Sequence, residues 1–240
     1  EQGNNEPREN YPPTGVCINM ELETNIKLLL GDCMDIMPKY PTDYFDLAIV
    51  DPPYGIGEDG KSNHGRGCLA ETTKFTPKSW DKNSPDTSYF NELMRVSKNQ
   101  IIFGANHFIS KIPYDSPCWI VWDKDNGNTD FADCELAWTS FKTAVRKHTF
   151  MWQGMLQGNM KEKEIRIHPT QKPRHLYSWL LENYATHTDK ILDTHLGSGG
   201  SAIAAHYFGV NEFLGIEIDQ EYFDSAKNRF EKSTRQLQLI

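Results

Sequence analysis

The 240-residue sequence lacks the features that define several protein classes. It has no apolar run near the roughly 20 residues that span a membrane, and its start lacks the basic-then-apolar order of a signal peptide. Its five cysteines are scattered, odd in number and never spaced as C-x-x-C, which argues against a zinc site and against a disulfide framework. These absences favour a protein of the reducing cytoplasm, away from the membrane and without a bound metal.

Basic residues are also in the minority, 25 against 33 acidic ones, and the formal net charge of -8 disfavours a nucleic-acid partner. Their distribution is uneven, however. Residues 142–174 contain eight basic residues and two acids, a net charge of +6, so that the rest of the chain carries -14. One basic stripe on an acidic body is compatible with a phosphate backbone held on one face, although on charge alone a solvated loop is the simpler interpretation.

Segments typical of strands and helices alternate along the chain. This order predicts an α/β fold with a mostly parallel sheet covered by helices on both faces. Residues 1–19 are polar and proline-rich and predict a flexible leader, and residues 20–240 predict a single domain. Within it, residues 55–86 are rich in Gly, Ser, Asn, Lys and Pro, which predicts a long functional loop.

A strand, a glycine turn, a helix and a further strand follow one another between Ile191 and Asp219. Glycines in such a turn let the backbone pass close to a ligand at the carboxyl end of a strand. Glu217 lies 24 residues after Asp193, about where an acid binds ribose hydroxyls in nucleotide-binding units. The unit therefore suggests an adenosine-containing cofactor. A tight structural turn, with Asp193 capping the next helix, is the competing interpretation.

A second candidate site lies in the sequence FDLAIVDPPY, where a buried strand ends at Asp51. Pro52 and Pro53 fix the backbone in an extended path, because proline restricts its own φ and disfavours the helical region for the residue before it. The result is a stiff loop that presents the Asp51 carboxylate, the Pro52 carbonyl and the Tyr54 ring. A proline-stopped strand followed by a surface turn is the simpler alternative.

These residues resemble those of a known family, the S-adenosylmethionine-dependent amino-methyltransferases that modify N6 of adenine or N4 of cytosine in DNA. The resemblance covers nearly the whole chain after Met20. It rests on four motifs: GDC at 31–33, DPPY at 51–54, HPTQKP at 168–173 and DTHLGSGG at 193–200. The catalytic motif precedes the glycine loop, which is the order of the β class, a circular permutation of the usual Rossmann-like methyltransferase fold. The family's glycine loop usually begins Asp-Pro-Phe, whereas here it begins Asp193-Thr194-His195. His195 therefore either contacts the cofactor or only replaces the packing of the usual phenylalanine.

The resemblance implies a role for each matching residue. Asp51 and the Pro52 carbonyl would accept the N–H bonds of the target amine, and Tyr54 would stack on the target base after it leaves the duplex. Transfer would be direct, with no enzyme nucleophile. The residues expected at the S-adenosylmethionine site are Asp32, Cys33, Asp51, Thr170, Gln171, Lys172, Asp193, His195, Gly197, Ser198, Gly199 and Glu217.

DNA is the expected partner, and the basic stripe coincides with the short interval, near 142–167, in which this family carries its recognition elements. The candidate DNA contacts are Lys61, Arg66, Trp80, Lys142, Arg146, Lys147 and Arg166. Trp80 is equally explained as a packing anchor of its loop. A recognition region this short suggests a short target sequence, low selectivity or a second identical subunit.

Asp and Tyr at the two ends of the motif resemble the adenine enzymes, so the expected product is N6-methyladenine. Four alternatives remain open: N4 of cytosine, RNA or a protein glutamine as the acceptor, a nicotinamide oxidoreductase, and a regulator that binds DNA without catalysis. Asp51 and the permuted order disfavour the RNA and glutamine enzymes. An oxidoreductase would carry its glycine loop at the start of the chain.

Overall fold

The computed structural model describes residues 25–58, 78–127, 132–153 and 156–235. Within these ranges eight strands form one sheet: β1 (Ile26–Leu30), β2 (Phe45–Val50), β3 (Ser97–Phe103), β4 (Trp119–Asp123), β5 (Cys134–Thr139), β6 (Arg146–Thr149), β7 (Lys190–Asp193) and β8 (Glu212–Glu217). The five α-helices are α1 (Cys33–Ile36), α2 (Thr87–Val96), α3 (Arg174–Tyr184), α4 (Gly200–Phe208) and α5 (Gln220–Arg235).

The strands lie in the order β1-β8-β7-β2-β3-β5-β4-β6. Only β5 runs antiparallel to its neighbours in this sheet of the described residues, and the other adjacent pairs are parallel. The prediction of a mostly parallel sheet is confirmed. The reversed β5 has one consequence for the site: its amino-terminal end lies at the same edge as the carboxyl ends of the other strands.

Helices cover both faces of the sheet, as predicted. One core cluster joins Leu176 of α3, Ala202 of α4 and Phe230 of α5 to the sheet, and a second cluster joins α1 and α2. Alternate residues of β2 enter the two clusters, as the period of two of a strand requires: Leu47 belongs to the first and Ala48 to the second. The fold is therefore doubly wound and Rossmann-like. Among the described helices, none is long and apolar enough to cross a membrane.

The direction in which the chain adds strands to the sheet reverses between β7 and β2. From β7 the chain continues through α4 to β8 on one side, and from β2 it continues through α2 to β3 on the other. Such a switch point leaves a crevice outside the carboxyl ends of the two strands, where open α/β sheets bind ligands. The residues after β2 begin with Asp51 and those after β7 begin with Thr194, so both predicted motifs border this crevice.

The described part of residues 55–86 contacts the DPPY loop. The predicted loop at 55–86 is ordered where it is described: residues Trp80–Lys82 form a short 3₁₀ turn, and the Asp81 carboxylate accepts hydrogen bonds from the backbone N–H groups of Gly55 and Glu58 at 2.8 Å each. This turn is therefore attached directly to the loop that follows Asp51.

Candidate active site

The Tyr54 side chain is fixed at both its hydroxyl and its ring. Its hydroxyl donates to Asp51 Oδ1 at 2.7 Å, and its ring stacks on the exposed His107 with centroids 5.1 Å apart and planes at 15°. The ring also lies against Gly104, where an added Cβ would come within 2.0 Å of it. Only glycine fits at position 104, whose φ of +67° is also unfavourable for other residues. The predicted stiff platform is therefore held in place by the segment after β3.

Lys172, from the HPTQKP segment, lies next to Asp51. Its Nζ is 2.5 Å from Asp51 Oδ2 and 3.1 Å from the Tyr54 hydroxyl. The same ammonium contacts Glu135 Oε2 at 3.1 Å, and Lys124 Nζ contacts Glu135 Oε1 at 2.6 Å. Two cations and two anions thus alternate behind the motif.

This network determines the charge of its members. Burial disfavours the charged form of Lys172, but the negative charges of Asp51 and Glu135 outweigh it and raise the pKa of the ammonium. Burial likewise opposes ionisation of Glu135, yet Lys172 and Lys124 lower its pKa to about 2. Burial raises the pKa of Asp51, and the charge of Lys172 works against that rise. Lys172 and Glu135 are therefore charged at neutral pH.

The glycine turn after β7 is tied together by Asp193. Its carboxylate accepts from the His195 backbone N–H at 3.0 Å and from Ser201 Oγ at 2.5 Å, and burial raises its pKa to about 7. Asp193 is buried and does not border the crevice, so its position fits the structural interpretation better than cofactor contact. Gly199 is also away from the crevice: its φ is +73° and a Cβ there would lie 3.3 Å from Ala226 of α5. The close approach that requires this glycine is to α5.

A pocket opens in the crevice and joins the two motifs. Of the residues expected at the cofactor site, its walls contain Asp51, Thr170, Gln171, Lys172, His195, Gly197, Ser198 and Glu217. Glu217 accepts hydrogen bonds from the Gly197 and Asp219 backbone N–H groups at 2.8 and 3.0 Å, and burial raises its pKa. Its carboxylate therefore connects the end of β8 to the glycine turn.

Three aromatic side chains also line the pocket. Trp80 packs on His168 with centroids 5.3 Å apart, and His168 meets Tyr222 at 4.3 Å. Trp80, for which both a DNA contact and a packing role were expected, lies on the wall of this pocket, and its contact with DNA stays a prediction. Neither His168 nor Tyr222 was identified from the sequence, although His168 opens a matching motif.

Other residues expected at the cofactor already use side-chain atoms in hydrogen bonds within the protein. His195 lies on the pocket wall with its Nδ1 2.9 Å from Thr194 Oγ1, and burial lowers its pKa to about 4, so its ring is neutral at pH 7. The Gln171 amide is already bonded within its own loop, accepting from Ile167 N at 2.9 Å and donating to the Ile165 carbonyl at 3.3 Å. An amide used in this way holds the loop at the pocket wall, and contact of Gln171 with the cofactor stays a prediction.

Asp32 and Cys33 lie beside the pocket and not on its wall. They follow β1, where the Gly31 N–H donates to the Glu217 carbonyl at 2.8 Å. Asp32 caps α1 by accepting from the Met34 N–H at 2.8 Å. Burial raises the pKa of the Cys33 thiol to about 12, so the thiol is protonated and is a poor nucleophile.

The described residues expected at DNA differ in their exposure and in their partners. Lys142 and Arg146 are exposed, and neither has an ion-pair partner in the part of the chain that the structure describes. Lys147 pairs with Asp123 at 2.6 Å. Arg166 is half-buried and stacks over Trp152 with 4.9 Å between guanidinium and ring, and its contact with a phosphate stays a prediction. Lys61 and Arg66 lie outside the described residues.

Glu135 and Lys124 are two further functional candidates that sequence reasoning missed. Glu135 is the second residue of β5, and it reaches the site only because β5 runs opposite to its neighbours. The sequence carries no signal for strand direction at this position. Charged residues at both ends of the β4–β5 connection are the one feature that pointed toward a polar site there.

Comparisons with known proteins agree with this geometry. Residues 121–228 match the model of a family described as DNA methylase, N6_N4_Mtase. The chain is 26% identical over 250 residues to the type II methyltransferase M2.MboI of Moraxella bovis, covering 88% of this chain and 90% of that protein. It is also 26% identical over 246 residues to M.HinfI of Haemophilus influenzae, covering 84% and 67%.

Two solved structures share the fold. The M1.HpyAVI–SAM complex aligns with a TM-score of 0.51 at 20% identity, over 85% of this chain and 98% of that one. The cytosine-N4-specific PvuII DNA methyltransferase aligns with a TM-score of 0.56 at 12% identity, over 88% and 93%. Together with the four motifs around one crevice, these matches support a DNA amino-methyltransferase family for this chain.

Proposed function

We propose that this protein transfers the methyl group of S-adenosylmethionine to N6 of adenine in DNA, at a specific sequence. The observation that carries the proposal is the position of Asp51 on the wall of a pocket that also contains Gly197 and Glu217. A carboxylate that accepts hydrogen bonds and a nucleotide-type pocket are thus neighbours at one switch point of the sheet.

The pocket suits the cofactor. Glu217 offers a carboxylate for ribose hydroxyls at the end of β8, and the aromatic wall formed by Trp80, His168 and Tyr222 offers flat apolar surface for an adenine or a methionine chain. Thr170 and Ser198 add hydroxyls to the same wall. When bound, S-adenosylmethionine supplies an electrophilic methyl sulfonium.

The chain's own residues prepare the acceptor. An exocyclic amine on an aromatic base is a poor nucleophile, because its lone pair is delocalised into the ring. In the proposed mechanism, Asp51 and the Pro52 carbonyl each accept one N–H of the amine and direct the lone pair toward the pocket. Tyr54 provides a ring on which the base stacks once it has left the duplex, since the amine cannot be reached inside the helix.

Two arguments favour adenine over cytosine. Asp and Tyr at the ends of the motif resemble the adenine enzymes. A purine also offers Tyr54 a larger face, and stacking on an aromatic side chain contributes about 1–3 kcal/mol per base. A smaller pyrimidine would hold its amine further from Asp51, and a displacement of about 1 Å can lower the rate on the order of a hundredfold.

The test is incubation of the protein with unmethylated DNA and labelled S-adenosylmethionine, followed by digestion to nucleosides. The expected product is N6-methyladenine. N4-methylcytosine as the main product would contradict the adenine assignment and leave the methyltransferase itself standing. Cofactor and DNA binding without any methylated nucleoside would identify a regulator instead.

A further inference from the structure

The four charged side chains behind the DPPY loop form a continuous row from Asp51 through Lys172 and Glu135 to Lys124. The contacts along the row are 2.5, 3.1 and 2.6 Å long. No side chain in it is more than 22% exposed, and Lys172 in the centre is 3% exposed. Burying so many charges is costly unless each one is paired, and here each one is. The row therefore needs an explanation beyond surface solvation.

We propose that Lys172 and Glu135 are positioning residues for the methyl transfer: Lys172 holds the Asp51 carboxylate toward the pocket, and Glu135 holds the Lys172 ammonium in place. The inference rests on the proposed function and deepens it. Both residues act through Asp51 and neither touches the methyl group or the target base.

The hydrogen-bond capacity of Lys172 supports this role over cofactor binding. An ammonium has three N–H donors. In the structure its nitrogen lies within hydrogen-bond distance of three acceptors, namely Asp51 Oδ2, Glu135 Oε2 and the Tyr54 hydroxyl. Two carboxylates already neutralise its charge, so neither a donor nor an unpaired charge is left for the carboxylate of a bound cofactor.

The same contacts leave Asp51 able to bind the target amine. A carboxylate has about four lone-pair positions, and Asp51 uses one on Oδ1 for Tyr54 and one on Oδ2 for Lys172. Each oxygen keeps a position for an incoming N–H. Because both oxygens are held from the protein side, the carboxylate cannot rotate away from the acceptor, and positioning is what direct transfer requires.

Lys172 and Glu135 act on the protonation of Asp51 in opposite directions. Burial raises the pKa of Asp51, the charge of Lys172 lowers it and the charge of Glu135 raises it. Removing Lys172 should therefore move the acid limb of the pH–kcat profile upward, and removing the charge of Glu135 should move it downward. The other titratable groups that interact with Asp51 are Tyr54, Tyr89, Tyr177 and Asp193.

The experiment compares Lys172→Met and Glu135→Gln with wild type and with the control Lys98→Met. Lys98 pairs with Asp46 at 2.7 Å at the opposite end of β2, so the control removes a lysine–aspartate pair from the same strand away from the pocket. S-adenosylmethionine affinity is measured by calorimetry, and kcat is measured on unmethylated DNA over a range of pH values.

The expected result is a fall in kcat of about a hundredfold for Lys172→Met and for Glu135→Gln, the effect of a displacement of about 1 Å. Their cofactor Kd should stay within a few-fold of wild type, and their acid limbs should move in opposite directions. Lys98→Met should match wild type in all three measurements. If Lys172→Met fails to fold because Asp51 is left buried and unpaired, the inference is tested with Glu135→Gln alone. Its kcat and the acid limb of its pH–kcat profile are then compared with those of wild type.

Three outcomes would overturn the inference. A large rise in cofactor Kd for Lys172→Met, with kcat unchanged at saturating cofactor, would make Lys172 a cofactor ligand. Wild-type kcat and an unmoved acid limb in both variants would make the row structural. A wild-type protein that transfers no methyl group to DNA would contradict the proposed function itself, and the wild-type measurement shows that failure separately.

Discussion

The Asp51 carboxylate accepts hydrogen bonds from Tyr54 and Lys172, and in the proposed reaction it also accepts one from the target amine. Asp51→Ala should therefore lower the single-turnover rate by at least about a hundredfold, the effect typical of removing a positioned hydrogen-bond partner. Cofactor affinity should survive largely intact, because Glu217 and the aromatic wall are unchanged. Rapid-quench kinetics and calorimetry measure the two quantities.

Asp46→Ala is the matched control for this substitution, since Asp46 lies on β2, the strand that Asp51 follows, and pairs with Lys98. It should leave the rate near that of wild type. An Asp51→Ala protein with a rate within a few-fold of wild type would remove this carboxylate from the mechanism.

Cys33 lies beside the pocket, and its buried thiol has a pKa raised to about 12. Direct transfer needs no thiolate, so Cys33→Ser should weaken cofactor binding modestly and leave turnover measurable. Steady-state kinetics and calorimetry check this. Complete loss of turnover in a folded variant with normal cofactor affinity would indicate covalent chemistry instead.

At the scale of elements, the basic stripe has fewer unpaired cations than its sequence indicates, because Lys147 is paired with Asp123. Lys142, which precedes edge strand β6, and Arg146, its first residue, are both exposed and have no such partner in the described chain. Replacing both with Glu should weaken DNA binding and flatten its dependence on salt, by about 0.9 in the log–log slope for each phosphate that is no longer neutralised.

The control for this charge reversal is Lys27→Glu, on strand β1 at the other edge of the sheet. Filter binding over a range of salt concentrations compares how much each edge of the sheet contributes to DNA binding. Equal slopes for wild type and the Lys142/Arg146 double variant would reassign the stripe to a solvated face, and cofactor affinity should not change in either protein.

For the whole molecule, Asp193 links stability to pH. Burial raises its pKa from 3.8 to about 7, so the folded state holds a proton that the unfolded state releases. The stability that Asp193 contributes is therefore fully present below pH 3.8 and is lost as the pH rises to about 7, with a slope of up to about 1.4 kcal/mol per pH unit.

Asp193→Asn cannot ionise and should lack this part of the pH dependence. Urea unfolding of both proteins at a series of pH values from about 5 to about 8 measures the difference. Parallel stability curves for the two proteins would show that Asp193 titrates near its ordinary pKa.

Much of the fold and part of the site could be predicted from the sequence. The strands that end at Val50 and Asp193 are short apolar segments, and the prolines after Asp51 and the glycines after His195 act on the backbone locally. Local signals of this kind do not depend on the rest of the chain. They were sufficient for the sheet, for the two motifs and for their meeting at the carboxyl ends of parallel strands.

The tertiary structure alone showed how the side chains of the site contact one another and which residues complete it. Lys172 is 121 residues from Asp51 in sequence, and Glu135 reaches it through the one reversed strand of the described sheet. Trp80 lies on the pocket wall, because Asp81 attaches its turn to the DPPY loop. Contacts of this kind follow from strand order and direction, which depend on how helices pack over the whole sheet, and no local pattern of residues encodes them.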